Sequence, residues 1–437
     1  MAGDLAQYPM VLYTIPDITA SMAEQPTASE TNLGTDVVAY IKAIGPALFL
    51  AAVVVGPGSI ALSTIAGGLY GYSLVWVPVI ATIFMITYVW MAARIALATG
   101  ETIFGATRIK YTQTVALLGG VFGFLTILAF QVGNNAGIGF ASEALFGGDV
   151  RLWAAMFTLV AIGFVWLPNL YDKIEWLVRI VVGVMLVAFV GTLALVGIDV
   201  EALAAGLVPS FPEFDAVTLS LGMAATTFSI AAAVYISHLM TEKEWGPERF
   251  AKQSADTIIG IAILGLIATV ILLTSASVIH GGEGDLVFSA HEMALQLEPL
   301  VGSGAFYLFT IGFFFAALSS LVVNALIGST LFVDGRGEDP SMDERPVKIW
   351  ASIAMLLGLI PVLLFQEDPI EILRLAQALA IVAFPLLAYL VLAISSDDDL
   401  MGEHANGRFV LALGIIGYVA VIAIILNYFY EVWQFLL

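Results

Sequence analysis

Residues 45–59 read Gly45-Pro46-Ala47-Leu48-Phe49-Leu50-Ala51-Ala52-Val53-Val54-Val55-Gly56-Pro57-Gly58-Ser59, and the apolar run then resumes toward Tyr70. This is a stretch long enough to enter a bilayer, interrupted at mid-depth by a proline between two glycines. Proline removes a backbone donor and glycine lowers the cost of leaving the helix, so the span is expected to unwind here. Non-helical backbone at that depth persists only where protein or a watery cavity satisfies its polar groups. A simple proline kink and a true break lining a site are both open readings. The second is favoured by the small polar residues after the break, Ser59, Ser63 and Thr64, and by the glycine-rich run Gly67-Gly68-Leu69-Tyr70-Gly71-Tyr72.

Working outward, the whole chain has the composition of an integral membrane protein. Of its 437 residues 60% are hydrophobic and 11% charged, whereas a soluble domain has roughly 45–50% and 25%. The absence of cysteine excludes a disulfide framework, a thiolate zinc site and a thiol nucleophile. The four histidines, His238, His280, His291 and His404, fall at or near predicted helix ends, so catalytic groups are scarce. An enzyme is not expected, and neither is a cofactor. The net charge of −20, from 35 acids and 15 bases, argues against nucleic acid as a partner, because phosphates demand a basic surface. The expected partners are the lipid bilayer and a small-molecule or ion substrate. The acids lie in the connections, which would suit a high-salt environment, although acidic loops alone are not diagnostic.

Apolar runs of bilayer length, about 20 residues each, recur at 41–71, 72–97, 112–146, 152–168, 175–198, 214–241, 254–279, 303–333, 347–365, 371–394 and 408–433. The reading is therefore eleven transmembrane helices. Residues 1–36 precede them as a polar, mildly acidic arm without the basic start and apolar run of a cleavable signal peptide. Cytoplasmic connections retain lysine and arginine. With the N-terminus inside, thirteen of the fifteen bases fall on the cytoplasmic side, leaving Arg151 and Arg374 outside. A missed or invented helix would scramble this alternation, so the count predicts a cytoplasmic N-terminus and an extracellular C-terminus in the plasma membrane.

The sixth span contains a second cluster of small and hydroxylated residues, Thr226-Thr227-Phe228-Ser229-Ile230-Ala231-Ala232-Ala233-Val234-Tyr235-Ile236-Ser237-His238. It permits close packing and side-chain bonds to carbonyls, but without a central proline or glycine a break is much less visible there. Spans one and six hold equivalent places in two five-helix halves, residues 37–198 and 199–394, followed by a loop and eleventh helix over 395–437. That is the arrangement of inverted-repeat transporters with discontinuous helices.

With these residues in hand, the chain resembles the Nramp family of proton-coupled divalent-metal transporters, whose fold is that of the bacterial leucine transporter. The likeness is carried by Gly45-Pro46-Ala47, Pro57-Gly58, Ala66-Gly67-Gly68, Tyr70-Gly71-Tyr72-Ser73-Leu74 and Ala98-Thr99-Gly100. It continues more weakly through Val234-Tyr235-Ile236, Ala317-Leu318-Ser319-Ser320 to Gly335, and Ala376-Gln377-Ala378 to Pro385. The resemblance implies an all-α membrane protein with two inverted five-helix repeats and one extra helix.

Departures fall on the functional positions. The family's first-helix signature Asp-Pro-Gly-Asn is matched by Gly56-Pro57-Gly58-Ser59, and its sixth-helix Met-Pro-His-Asn by Ile230-Ala231-Ala232-Ala233. The aspartate, asparagine and methionine that supply the family's metal-binding side chains are thus absent, and no metal site is assigned with assurance. Carbonyls near Val53 and Thr227 remain available, as does Gln377, where the family also has glutamine. In the third helix Gln131 and Asn134 stand where the family has proton-carrying acids. Residues three and four apart share a helix face, so Gln131, Asn134 and Asn135 form one polar patch, either along a pathway or simply bonded between helices. The family's sixth-helix histidine is matched by Ser237, with His238 adjacent; a histidine at a helix end can equally be an interfacial or capping group.

Physics turns these substitutions into an expectation. Stripping a divalent cation of water needs charged or several strongly coordinating oxygens, and a transition-metal preference needs soft sulfur or nitrogen. The expected reading is therefore an alternating-access transporter with a neutralised site and a changed substrate, either a neutral or zwitterionic solute or a cation that keeps most of its water. The alternatives are a Mg2+ or Mn2+ transporter using carbonyls, Gln377, Ser59 and water, and a non-transporting sensor. A channel is disfavoured, since no charged ring or filter sequence is visible. Glu101 and Glu143 read as solvated helix-end acids, Asp397-Asp398-Asp399 as surface, Arg374 as a partner of Glu371, and Pro361 and Pro385 as kinks.

Overall fold

The computed structural model describes residues 56–281, 289–365 and 368–436. The arm, Val53 and the first half of the first span lie outside the described residues. All regular structure among those described is helical. The principal helices are α1 (Pro57–Tyr70), α2 (Trp76–Thr99), α3 (Ile103–Lys110), α4 (Gln113–Phe146), α5 (Val150–Trp166), α6 (Pro168–Val196) and α7 (Phe214–Thr227). They are followed by α8 (Ile230–Glu242), α9 (Phe250–Val278), α10 (Ala305–Arg336), α11 (Arg345–Leu364), α12 (Pro369–Leu379), α13 (Phe384–Ser395) and α14 (Arg408–Leu436).

Nine helical segments among the described residues are long and apolar enough to cross a membrane, and α5 is a shorter apolar helix of 17 residues. With α1 as the second half of the first span, the observed helices correspond to the eleven apolar runs. Their ends follow local chemistry. Pro57 begins α1, where its missing N–H costs nothing, and Thr102, Thr112 and Asp149 accept bonds from Gly105, Val115 and Arg151 at the starts of α3, α4 and α5. Gly100 ends α2 at φ 72°, a conformation that favours glycine.

The sixth span is broken. Helix α7 stops at Thr227, Phe228 and Ser229 leave helical geometry (ψ 66° and 97°), and α8 begins at Ile230. An aromatic cluster holds the break: the Phe228 ring lies 5.0 Å from Tyr88 and 4.7 Å from Phe384 between centroids. Such pairs contribute about 0.5–1.5 kcal/mol each beyond their burial. The tenth span is also interrupted, passing from α12 through a single 3₁₀ turn, Ala380–Ala383, into α13 with Pro385 in its first turn. Pro361 lies inside α11.

The long helices α4 and α10 meet along a glycine seam. A Cβ on Gly120 would stand 2.9 Å from Gly335 Cα, and one on Gly335 would stand 2.7 Å from Gly120 Cα. Only small residues let backbones approach that closely. Large apolar side chains are exposed along the flanks, among them Leu159, Val187, Leu266 and Ile416, as expected of helices solvated by lipid.

Candidate functional site

The start of α1 and the break in the sixth span face one small cavity. Its wall is formed by Gly56, Gly58, Ser59, Phe130, Asn134, Thr226, Ser229, Asn324 and Gln377, and its volume is about 20 Å3. That is room for one water molecule or one ion. No lining side chain carries a formal charge. The N-terminal ends of α1 and α8 and the C-terminal end of α7 border it, and helix ends leave backbone amides and carbonyls without intrahelical partners.

Three buried oxygens lack a hydrogen-bond partner among the described residues: Ser59 Oγ and Gln377 Oε1 in the cavity wall, and Ser320 Oγ beside Gly56. Their residues are 4%, 1% and 1% exposed. Leaving one such group unsatisfied costs about 1–3 kcal/mol, so three together mark a place built to receive a ligand or water. Gln377 is tightly held: a Cβ on Gly58 would meet its Cδ at 2.7 Å and one on Gly133 its Nε2 at 2.4 Å. Ser320 occupies the space an acid at position 56 would need, since a Cβ on Gly56 would lie 2.6 Å from Ser320 Oγ and 3.2 Å from its Cβ.

Of the residues singled out from sequence, Gly56, Gly58, Ser59, Gln377 and Asn134 line the cavity. Pro57 packs instead near Gly137, while Ile230 and Ala233 belong to the apolar core. Thr227 is buried beside the lining residue Thr226. Sequence reasoning does not single out Thr226, Ser229, Asn324 or Ser320. The first two belong to the hydroxyl cluster of the sixth span, and only the unwinding at Phe228 brings them forward. In the eighth span Ser320 falls in a stretch that carries the family likeness without being assigned a role, and Asn324 carries no motif.

The polar patch of α4 is largely committed to its neighbours. Gln131 Nε2 donates to the Leu321 carbonyl at 2.8 Å, Asn134 Nδ2 to Gln131 Oε1 at 3.0 Å, and Asn135 Nδ2 to the carbonyls of Gln131 and Met355 at 2.8 and 3.2 Å. The Thr158 hydroxyl donates to Asn135 Oδ1. Gln131 and Asn135 therefore pin α4 to α10, α11 and α5, and Asn134 alone of the three reaches the cavity.

A second buried polar cluster joins the far end of α8 to α10. His238 Nε2 is 2.8 Å from Asp334 Oδ2, Thr102 Oγ1 donates to the same oxygen at 2.6 Å, and Arg108 reaches Asp334 Oδ1 at 2.9 Å and its carbonyl at 2.6 Å. Ser237 Oγ accepts from the Ile103 amide at 3.1 Å and donates to the Val234 carbonyl at 2.7 Å. Nothing in the sequence marks Asp334; its partner His238 lies 96 residues away. Nearby, Asp397 caps a helical turn and pairs with Lys110 at 2.6 Å, a more specific role than plain surface. Arg374 and Glu371 do pair, at 2.8 Å, and Glu101 and Glu143 are exposed. No group of three or more His, Asp or Glu side chains converges as metal ligands among the described residues.

A helix broken beside a small polar cavity, with a second helix starting at the same place, is the arrangement of the discontinuous-helix class of membrane transporters. Comparison makes the class specific. The model of the family described as "Natural resistance-associated macrophage protein-like", Nramp, matches residues 47–431, and the chain belongs to that family. A divalent metal cation transporter MntH from Pectobacterium carotovorum subsp. carotovorum is 26% identical over 392 residues, covering 88% of this chain and 93% of its own. Its counterpart from Erwinia tasmaniensis is 27% identical over 390 residues, covering 87% and 92%. Among solved structures, the Eremococcus coleocola manganese transporter superposes with a TM-score of 0.72 at 18% identity, covering 92% of this chain and 88% of that one. MhsT, in complex with L-phenylalanine, gives 0.57 at 18%, covering 87% and 98%. These likenesses establish the leucine-transporter fold.

Proposed function

We propose that this Nramp-family transporter carries a divalent metal cation by alternating access and holds it through the uncharged oxygens of the cavity wall and the helix ends beside it. The observation that carries the reading is the neutral cavity with two unpartnered buried oxygens in its wall, Ser59 Oγ and Gln377 Oε1. At about 20 Å3 the space suits an ion or a water and is too small for an amino-acid-sized solute, which disfavours the neutral or zwitterionic substrate. The relatives named as divalent metal cation transporters point the same way. A sensor has no comparable support.

On this reading residues 37–198 and 199–394 are the two inverted repeats, with the N-terminus cytoplasmic and the C-terminus extracellular, as the lysine and arginine distribution suggests. The substrate meets the backbone around Thr227 and the wall from Gly56 to Ser59 with Gln377; Val53, expected beside them, lies outside the described residues. Asn134, Gln131 and Asn135 border the route on one side, with Ser237 and His238 at its far end. The C-terminal end of α7 supplies a dipole in place of charge, since helix C-termini favour a cation.

The test is uptake by the purified full chain in liposomes, with Mn2+, Mg2+ and a mixture of amino acids offered separately. Saturable uptake of a divalent cation, weakened about 10-fold in KM by Ser59→Ala or Gln377→Ala, is expected, equivalent to about 1.4 kcal/mol per lost oxygen. Saturable amino-acid uptake with no divalent uptake would reject the proposal.

A further inference from the structure

We infer that His238, paired with Asp334, is a proton-operated latch: its neutral imidazole holds the far end of α8 against α10, and uptake of a proton at Nδ1 releases that end. The inference goes beyond the substrate assignment and rests on alternating access alone.

Among the described residues Asp334 and His238 are the only acid and the only histidine that are buried, at 2% and 3% exposure. The carboxylate accepts at both oxygens, from Thr102 and His238 at Oδ2 and from Arg108 at Oδ1. A carboxylate engaged in this way only accepts, so His238 Nε2 is the donor and Nδ1 is the one basic atom left on the ring. Nδ1 is itself buried and has no hydrogen-bond partner among the described residues.

A proton at Nδ1 would put a charged N–H in a dry place with nothing to accept from it, and burying such a donor is more costly than burying a neutral one. Asp334 attracts an imidazolium, but Arg108, 2.9 Å from the same carboxylate, offsets that attraction. The protonated ring is therefore better accommodated where water reaches Nδ1, which requires α8 to leave α10. Helix α8 can make that move as a unit because it starts at the Phe228–Ser229 break, whereas α10 is bonded to α4 through Gln131.

The other titratable groups on the elements packed around α8 are engaged elsewhere. On α2, Arg94 is stacked on Trp90 and Phe250 and Tyr88 donates to the Gly414 carbonyl. Tyr389 of α13 meets Tyr111, Lys110 of α3 pairs with Asp397, and Arg336 of α10 pairs with Glu338. Glu143 and Tyr307 stand at the opposite ends of α4 and α10. On α8 itself Glu242 is exposed, and Tyr235 stacks on the His238 ring and donates to the Met342 sulfur.

Because the chain has no cysteine, a single introduced one can report opening. Thr330 lies one turn before Asp334 on the same face of α10 and is buried, with its hydroxyl unpartnered. The experiment follows labelling of Thr330→Cys by a water-soluble maleimide in the purified full chain, without divalent cations, from about pH 8 to about pH 5.5, which spans the imidazole range. The rate is divided by that of Asp343→Cys, an exposed position, to remove the thiol's own pH dependence. Expected is a rise of about 10-fold on acidification, as for a proton bound about 10-fold more tightly in the open arrangement. In the reporter chain His238→Gln, which keeps a donor for Asp334 and does not titrate, should leave labelling low and flat, and His404→Gln should preserve the rise. A flat profile in the reporter chain overturns the latch without any variant of the pair having to fold. A rise that persists in His238→Gln, or is lost in His404→Gln, places the proton on another group and overturns it as well. Since no divalent cation is present, a flat profile leaves the divalent-cation reading standing, and a failure of divalent uptake in liposomes leaves the latch standing.

Discussion

Replacing Asp334 by alanine removes the centre of the cluster that joins α8, α10 and the segment from Thr102 to Arg108. Its carboxylate is almost fully buried, at 2% residue exposure, and has three side-chain partners, Thr102 at 2.6 Å, His238 at 2.8 Å and Arg108 at 2.9 Å. Breaking a buried pair by deleting one member costs about 3–5 kcal/mol. Two features lower that figure. The Arg108 side chain is 30% exposed and can be rehydrated, and its bond to the Asp334 carbonyl at 2.6 Å survives the substitution. The expected loss is therefore about 3 kcal/mol, toward the lower end of that range. Equilibrium unfolding in mixed micelles would measure it, with Asp343→Ala as the reference, because that carboxylate is 87% exposed and only 3.5 Å from Lys348; exposed pairs of this kind contribute about 0–1 kcal/mol. A double-mutant cycle with His238→Ala should give a coupling of about 1–3 kcal/mol. Equal losses in Asp334→Ala and Asp343→Ala, or a cycle that closes to zero, would refute the claim that the cluster ties these elements together.

Two further outcomes concern positions away from the cavity. Gly67→Ala would place a Cβ 2.2 Å from the Leu272 carbonyl and 2.8 Å from the Ala276 amide, forcing α1 and α9 apart at a cost of about 1–3 kcal/mol; a lowered melting temperature checks it, and a wild-type value would show that the two helices are free to separate there. Asp149, whose carboxyl is held down to about 2 by side-chain and backbone hydrogen bonds from Arg151, should return toward the ordinary value of about 3.9 in Arg151→Ala. The sign is that of a depressed acid: any stabilisation is present above the ordinary value and is lost as pH falls through about 2. Carboxyl-carbon NMR titration reads it.

The spans were legible because apolar runs of bilayer length are a bulk property of the chain, and the start of α1 because Pro57 suits a first helical position. The break in the sixth span was nearly invisible. Neither Phe228 nor Ser229 is a helix breaker, and the interruption is held by rings from Tyr88 and Phe384, residues distant in sequence. Gln377 and Ser59 could be named because they sit at recognisable positions. Asn324 could not, since an asparagine in an apolar helix ordinarily serves packing, and Ser320, though within a stretch that carries the likeness, gains its place only from the missing side chain at Gly56. The pairing of His238 with Asp334 is likewise tertiary: each residue alone looks like a polar group at a helix end.

The seam between Gly120 and Gly335 has a mechanical corollary. With main chains nearly touching and Gln131 bonded across to Leu321 further along, α4 and α10 cannot slip by a fraction of a residue without collision or loss of that bond. Packed helices keyed in this way travel as one rigid frame. Whatever rocking exposes the cavity to either side of the membrane must therefore be absorbed by the non-helical joints, at Gly56, at Phe228–Ser229 and at the 3₁₀ turn after Gln377, so stiffening those three joints should arrest the cycle while leaving the frame intact.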